Sequence, residues 1–224
     1  DYTRLADNFR YLREHTGVHI HADLIVGLPG ETVETFAAGF DRLVALQPQE
    51  IQVGILKRLR GTPIVRHDLE FQMLYHAEPP YEILQNRDID FAMLQRMRRF
   101  AKYWDLVGNS GNFVATTPLI WSGLPSPFYA LFDFSDWLFA KVRRTDTIAL
   151  MRLMELLFDY LTQVRRLEPS VVAPVLWSDY QRGGRFDKPG FLKDHLPSEP
   201  GPSIASRRSA APKRQSRHMD APAA

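Results

Sequence analysis

The segment His19-Ile-His-Ala-Asp-Leu-Ile-Val-Gly-Leu-Pro-Gly-Glu-Thr32 gathers side chains that could do chemistry around a turn that could hold a ligand. Two histidines and an aspartate alternate with apolar residues, and a glycine-bracketed turn follows at once. In an extended strand every second residue shares a face. His19, His21, Asp23 and Ile25 then lie on one side, and Ile20, Ala22, Leu24 and Val26 on the other. The second set suits packing beneath helices. The first is mostly polar, although a parallel strand ordinarily has both faces covered. A second strand, residues 50–57, repeats the division, with Ile51, Val53 and Ile55 opposed to Gln52, Gly54 and Leu56. Gly54 removes a side chain where something can approach closely. Such a pair of strands is either the ligand-facing wall of a barrel or a sheet with one solvated face.

The turn Gly27-Leu-Pro-Gly30 lies at the C-terminal end of the first strand, just before a helix. Strand, turn, helix and strand at this spacing form a βαβ unit, and α/β proteins place their chemistry at that strand end. Free N–H groups and the helix dipole favour an anion or a ligand carboxylate there, by about 0.3–1 kcal/mol when exposed. Glu31 opposes an anion and can satisfy the dipole itself. No Gly-Lys-Ser/Thr follows the turn and its glycines are not spaced Gly-x-Gly-x-x-Gly, so both nucleotide-binding loops of that kind are excluded.

These residues must be held by elements legible in the hydrophobic pattern. Leu5, Phe9 and Leu12 predict a helix over residues 3–15, stopped by Gly17, before a strand over residues 18–26. Val33, Phe36, Ala37, Phe40, Leu43 and Val44 predict a helix from about Glu31 to Leu46, ended by Pro48. Residues 58–87 are broken by Pro63, Pro79 and Pro80, with residues 81–84 extended. Beyond them the pattern is helical. Asp88 is expected to cap a helix reaching Leu106, closed by Gly108, with Ile89, Met93, Met97, Phe100 and Trp104 on one side. Further helices are expected over residues 113–121, from Pro127 to Val142, from Thr147 to Val164 with Asp146 as cap, and over residues 170–181 before Gly183-Gly184. The fold class is α/β plus all-α, divided into residues 1–87, a helical domain 88–197 and a disordered basic tail 198–224.

Composition narrows the function classes. The absence of cysteine excludes disulfides, thiolate catalysis and any cysteine-held zinc or iron–sulfur site within these 224 residues, and it fits a cytoplasmic location. The stretch from Phe113 to Val142 is apolar but interrupted by prolines, glycine and aspartates, which argues against a membrane span. The net charge of +2 divides into +3 on the tail and −1 on residues 1–197, so nucleic acid is an unexpected partner for the folded part. The chain opens on Asp1, and we expect it to be a piece of a longer protein.

Asp23-Leu-Ile-Val-Gly-Leu-Pro-Gly-Glu-Thr32, with Phe36 and Phe40, resembles the fifth strand and following loop of radical S-adenosylmethionine (SAM) enzymes. Leu46-x-Pro48, Gln52-x-Gly-Ile-Leu-Lys57, Arg60-Gly61 and Pro79-Pro-Tyr-Glu-Ile-Leu84 resemble the cobalamin-binding radical SAM family that carries a helical C-terminal domain of unknown function. Asn109-Ser-Gly-Asn112, Asp159-Tyr160, Asp179-Tyr180 and Pro189-Gly-Phe191 are similar to that helical domain. The resemblance implies the last two β/α units of a partial TIM-like barrel followed by the helical domain. It implies a parent enzyme that cleaves SAM reductively at a four-iron four-sulfur cluster to start radical chemistry, with cobalamin as a further cofactor. The cluster-binding Cys-x3-Cys-x2-Cys loop, four barrel strands and the cobalamin domain are not in this sequence. The implied partners are the missing N-terminal part of the same protein, an external electron donor, SAM and an unidentified substrate.

By the same resemblance Ile25 and Gly27 lie against the adenine, Leu28 and Pro29 shape the adjoining loop, and Leu56 is a second adenine contact. His21, Asp23, Gln52 and Lys57 become substrate-pocket residues, and no residue is assigned to a metal. Plainer roles stand beside these: Lys57 and Arg58 as solvated charges at a strand end, His19 and His21 as surface histidines. A reading of another class makes the chain a non-catalytic helical interaction module with an α/β scaffold element. The aromatic run Trp121, Phe128, Tyr129, Phe132, Phe134, Trp137 and Phe139 is expected to be core.

Overall fold

The computed structural model describes residues 1–196; the expected tail, 198–224, lies outside the described residues. Helix α1 (Tyr2–His15) leads into strand β1 (His21–Val26), helix α2 (Val33–Leu46) and strand β2 (Glu50–Ile55). β1 and β2 pair in parallel, with His21 opposite Glu50, Asp23 opposite Gln52 and Ile25 opposite Gly54. A 3₁₀ turn (Pro63–His67) and a small antiparallel pair, β3 (Leu74–Tyr75) with β4 (Ile83–Gln85), complete the mixed α/β part. Four helices follow: α3 (Phe91–Trp104), α4 (Pro127–Val142), α5 (Leu150–Asp159) and α6 (Pro169–Arg182). Among the described residues the two sheets have two strands each and do not close into a barrel.

The βαβ unit follows from its sequence. Thr32 caps α2 reciprocally: its hydroxyl accepts from the Thr35 N–H at 3.3 Å, and its own N–H donates to the Thr35 hydroxyl at 2.9 Å. The helix therefore starts at Val33 rather than Glu31. It ends on Gln47 in a left-handed conformation, one residue before Pro48. Its apolar face carries Phe36 and Phe40 into one aromatic cluster with α3 and α4. Phe40 meets Trp104 at 5.0 Å and Phe100 at 5.3 Å between ring centroids, and Phe100 meets Phe128 at 4.9 Å. The hydrophobic core thus continues across residue 87, from the βαβ unit into the helices.

Polar ties reinforce this seam. The Trp104 indole donates to the Ile51 carbonyl at 2.6 Å, and the Asn109 side chain accepts the Ile51 N–H at 3.0 Å and donates to its carbonyl at 2.9 Å. Asp41 on α2 accepts the Phe128 N–H at the start of α4, at 2.7 Å. Such bonds satisfy backbone groups that burial would otherwise leave unpaired.

Several boundaries differ from the sequence expectation for identifiable reasons. The first strand begins at His21 rather than residue 18, and the second ends at Ile55, short of Lys57. Asp90, not Asp88, caps α3, accepting the Met93 N–H at 2.7 Å, while Asp88 pairs with Arg87. That helix does not run regularly to Leu106. It passes at Asp105–Asn109 into a π turn, where Asn109 is held against Ile51. Residues 113–121 yield only a 3₁₀ turn, Thr117–Ile120; the Thr117 hydroxyl donates to the Phe113 and Val107 carbonyls there. Asp146 caps no helix. It accepts from the Thr147 hydroxyl, Thr147 is left-handed at φ +54°, and α5 starts only at Leu150, giving way to a π turn at Tyr160–Val164. Pro127–Val142 forms as expected, with Ser126 as cap.

Phe128, Phe132 and Phe134 are buried, and Trp121 and Trp137 pack partly buried against the core. Tyr129 is the exception, at 45% exposure. No helix among the described residues is long and apolar enough to cross a membrane.

Candidate functional site

The two faces of β1 differ as alternation requires. Val26 is fully buried, and Ala22 and Leu24 pack against the core, whereas His21, Asp23 and Ile25 are exposed. On β2 the register partner of Asp23, Gln52, is exposed too, and Gly54 sits opposite Ile25. A Cβ added at Gly54 would meet only the Leu24 carbonyl oxygen, at 3.7 Å. Ile25, at 43% exposure, thus has open space beside it on a face otherwise lined by polar side chains.

At the N-terminal end of this face Glu50 is buried between two histidines. Its carboxylate lies 3.5 Å from His19 Nε2 and 3.6 Å from His21 Nδ1, and His21 Nε2 reaches Asp23 Oδ1 at 3.2 Å. His21 and Asp23 are therefore coupled to a buried carboxylate. Among the described residues no group of three or more histidine, aspartate or glutamate side chains is arranged to hold a metal ion.

The turn at the other end of the strand is clamped from behind. Gly27 adopts φ +92°, a conformation natural to glycine, and a Cβ there would stand 2.8 Å from Ile83 Cγ2. Its carbonyl accepts from the side chain of buried Asn86 at 3.2 Å, while Asn86 Oδ1 takes the N–H groups of Asp88 and Ile89. Gly30, at φ +76°, lies against the Phe71 ring, and Arg87 covers that ring at 4.6 Å. Leu28 and Pro29 are half-buried between the two glycines.

Glu31 stands where the turn meets α2. Burial pushes its carboxyl up to about 7, and its Oε2 is buried without a hydrogen-bond partner. A carboxyl left unsatisfied at a strand-end turn is a better candidate for function than one absorbed by the fold.

The structure brings Ile25, Gly27, Leu28 and Pro29 together, continuous with Asp23 and His21 along β1 and with Gln52 across the sheet. Leu56 does not join them. Because β2 ends at Ile55, alternation does not carry through, and Leu56 is buried in the core at 7% exposure, its carbonyl accepting the Ile83 N–H. Lys57 is exposed and faces Glu82 at 4.0 Å, and Glu82 also pairs with Arg98 at 2.8 Å. The bracing of the turn by Asn86 and Ile83 carried no signal in the sequence, because the two sides of each contact lie far apart along the chain. Glu31 was legible as a helix-start charge, but its burial was not.

The family model described as "Protein of unknown function (DUF4080)" matches residues 69–215. The chain belongs to this family. No curated protein and no solved structure matches it. The matched span contains helices α3 to α6 and the brace residues Phe71, Ile83 and Asn86. β1, its turn, α2 and β2 precede it.

Proposed function

We propose that this chain is the C-terminal part of a cobalamin-binding radical SAM enzyme, in which the β1–α2–β2 unit supplies the last two β/α units of the barrel. The observation that carries the reading is the exposed Ile25, set beside Gly54 and above the clamped turn. An adenine needs an apolar contact next to backbone that approaches closely, and Ile25 with Gly27, Leu28 and Pro29 offers both. Membership of DUF4080, a domain associated with cobalamin-binding radical SAM proteins, supports the same reading.

The residues fit this cofactor in part. Ile25 to Pro29 suit the adenine end; buried Leu56 does not, and we leave it out of the site. The chain has no cysteine and cannot hold the implied cluster through thiolates, so that centre belongs to residues N-terminal to these. No residue here is assigned to cobalamin. His21, Asp23, Gln52 and Lys57 are proposed to face the substrate, with His21 Nε2 held 3.2 Å from Asp23 Oδ1.

SAM binding by the parent polypeptide tests the reading. Ile25→Glu is expected to weaken it roughly tenfold, the effect of replacing an apolar contact worth about 1–1.5 kcal/mol. Unchanged affinity, or no SAM binding in the parent, would favour the non-catalytic interaction module instead.

A further inference from the structure

Between β2 and β4 the chain folds around an open cleft of about 560 Å³, lined from Arg58 to Tyr81. Sites for small molecules commonly measure about 300–1,000 Å³. The lining contains no aspartate or glutamate, yet Arg58 and Arg60 both contribute to it. Arg58 is already engaged, 3.1 Å from Asp68 and 5.6 Å above the Tyr75 ring. Arg60 is exposed and makes no ion pair with the described residues.

Exposed apolar side chains share this cleft with Arg60. Leu59, Val65 and Leu74 line the same cleft at 57%, 49% and 52% exposure. Large apolar residues scattered singly over a surface need no explanation; these three instead share one concavity with a guanidinium. Tyr81 joins them at φ +56°, a conformation that non-glycine residues seldom adopt. It is held there by its N–H to the Glu78 carbonyl and by the Arg58 N–H to its own carbonyl, both at 3.0 Å. Backbone strain retained in this way concentrates at binding sites.

We propose that this cleft binds an amphiphilic organic anion, a small molecule with an acyl or aryl body and a terminal carboxylate. The body lies against Leu59, Val65 and Leu74, and the carboxylate pairs with Arg60. An inorganic anion leaves the apolar wall unused, and a neutral hydrocarbon leaves Arg60 unused. The cleft is independent of the SAM reading, since none of its residues belongs to the proposed adenine contact.

The test uses the full chain and decanoate, decanol and inorganic phosphate as probes, followed by calorimetry or ligand-observed NMR. Decanoate is expected to bind at least tenfold more tightly than decanol or phosphate. Arg60→Gln should weaken decanoate about tenfold, as loss of a charge-assisted hydrogen bond does, and leave decanol unchanged. Leu59→Gln, on an exposed side chain that the fold does not need, should weaken decanoate and decanol alike. Failure of decanoate to bind, equal binding of decanol or phosphate, or indifference of decanoate to Arg60→Gln would each overturn the proposal. SAM binding in the parent should be unaltered by Arg60→Gln, which keeps failure here separate from failure of the adenine reading.

Discussion

Asp179 among the helices and Glu31 at the turn are both carboxyls raised above their ordinary range, with burial the leading cause in each case. Their surroundings otherwise differ completely. Asp179 accepts from the Ala115 and Thr116 N–H groups and the Thr116 hydroxyl, and Arg182 stands 3.2 Å away. These partners pull its carboxyl down but do not offset burial. Glu31 has no such set, and Oε2 is buried without a partner. One carboxyl is consumed in fixing the loop that precedes the 3₁₀ turn at Thr117. The other is held in place by the fold and left chemically unspent. The difference separates a carboxyl whose hydrogen bonds account for its burial from one whose surroundings do not.

The largest expected effect lies with the satisfied carboxyl. Asp179→Ala strands the Ala115 and Thr116 N–H groups, the Thr116 hydroxyl and Arg182 around a buried site, and should cost about 3–5 kcal/mol in urea denaturation. A loss below about 1 kcal/mol would erase the distinction drawn above. Gly27→Ala comes next. It forces a side chain into a left-handed backbone and against Ile83, so we expect about 2–3 kcal/mol of destabilisation. Gly54→Ala, with open space at its Cβ, should be far milder in the same assay.

Glu31→Gln should act in the opposite direction. The folded-state value of about 7 lies above the ordinary 4.5, so between these values the folded protein retains a proton the unfolded chain has lost. Stability contributed by the protonated form is then complete below the unfolded value and lost as pH rises through the folded one. Glu31→Gln is expected to raise stability at pH 8 by roughly 1 kcal/mol, discounted for partial exposure, and to change little at pH 4. A thermal-melt series across that range reads the slope directly. Smallest of all is Asp23→Ala, where an exposed side chain should change stability by less than about 0.5 kcal/mol. A substantial loss would mean that the open face is structural after all.

Legibility in the sequence followed the range of the forces involved. The two faces of β1 and the apolar stripe of α2 could be read because alternation and helical period are local. Pro127 likewise placed the start of α4 correctly. Asp88 and Asp146 misled because a capping residue is recognised by type, whereas the cap that forms depends on which backbone turns first. Asp90 and the left-handed Thr147 decided those two cases. The π turn at Asp105–Asn109 was invisible for a different reason, since it serves a bond to Ile51 more than fifty residues earlier. At the site, Ile25 and the turn were legible. The burial of Leu56 was not, because it depends on where β2 stops. The Arg60 cleft was equally hidden, since its walls come from segments separated by turns that carry no period.

The central proposal is that Ile25 to Pro29 touch a cofactor that the helical region does not. Photo-crosslinking of the parent polypeptide with an azido-adenine analogue of SAM, mapped by mass spectrometry, addresses it most directly. The account predicts label within residues 25–29, competed by SAM and lost in Ile25→Glu. Label confined to the helices, or none that SAM competes, would contradict it.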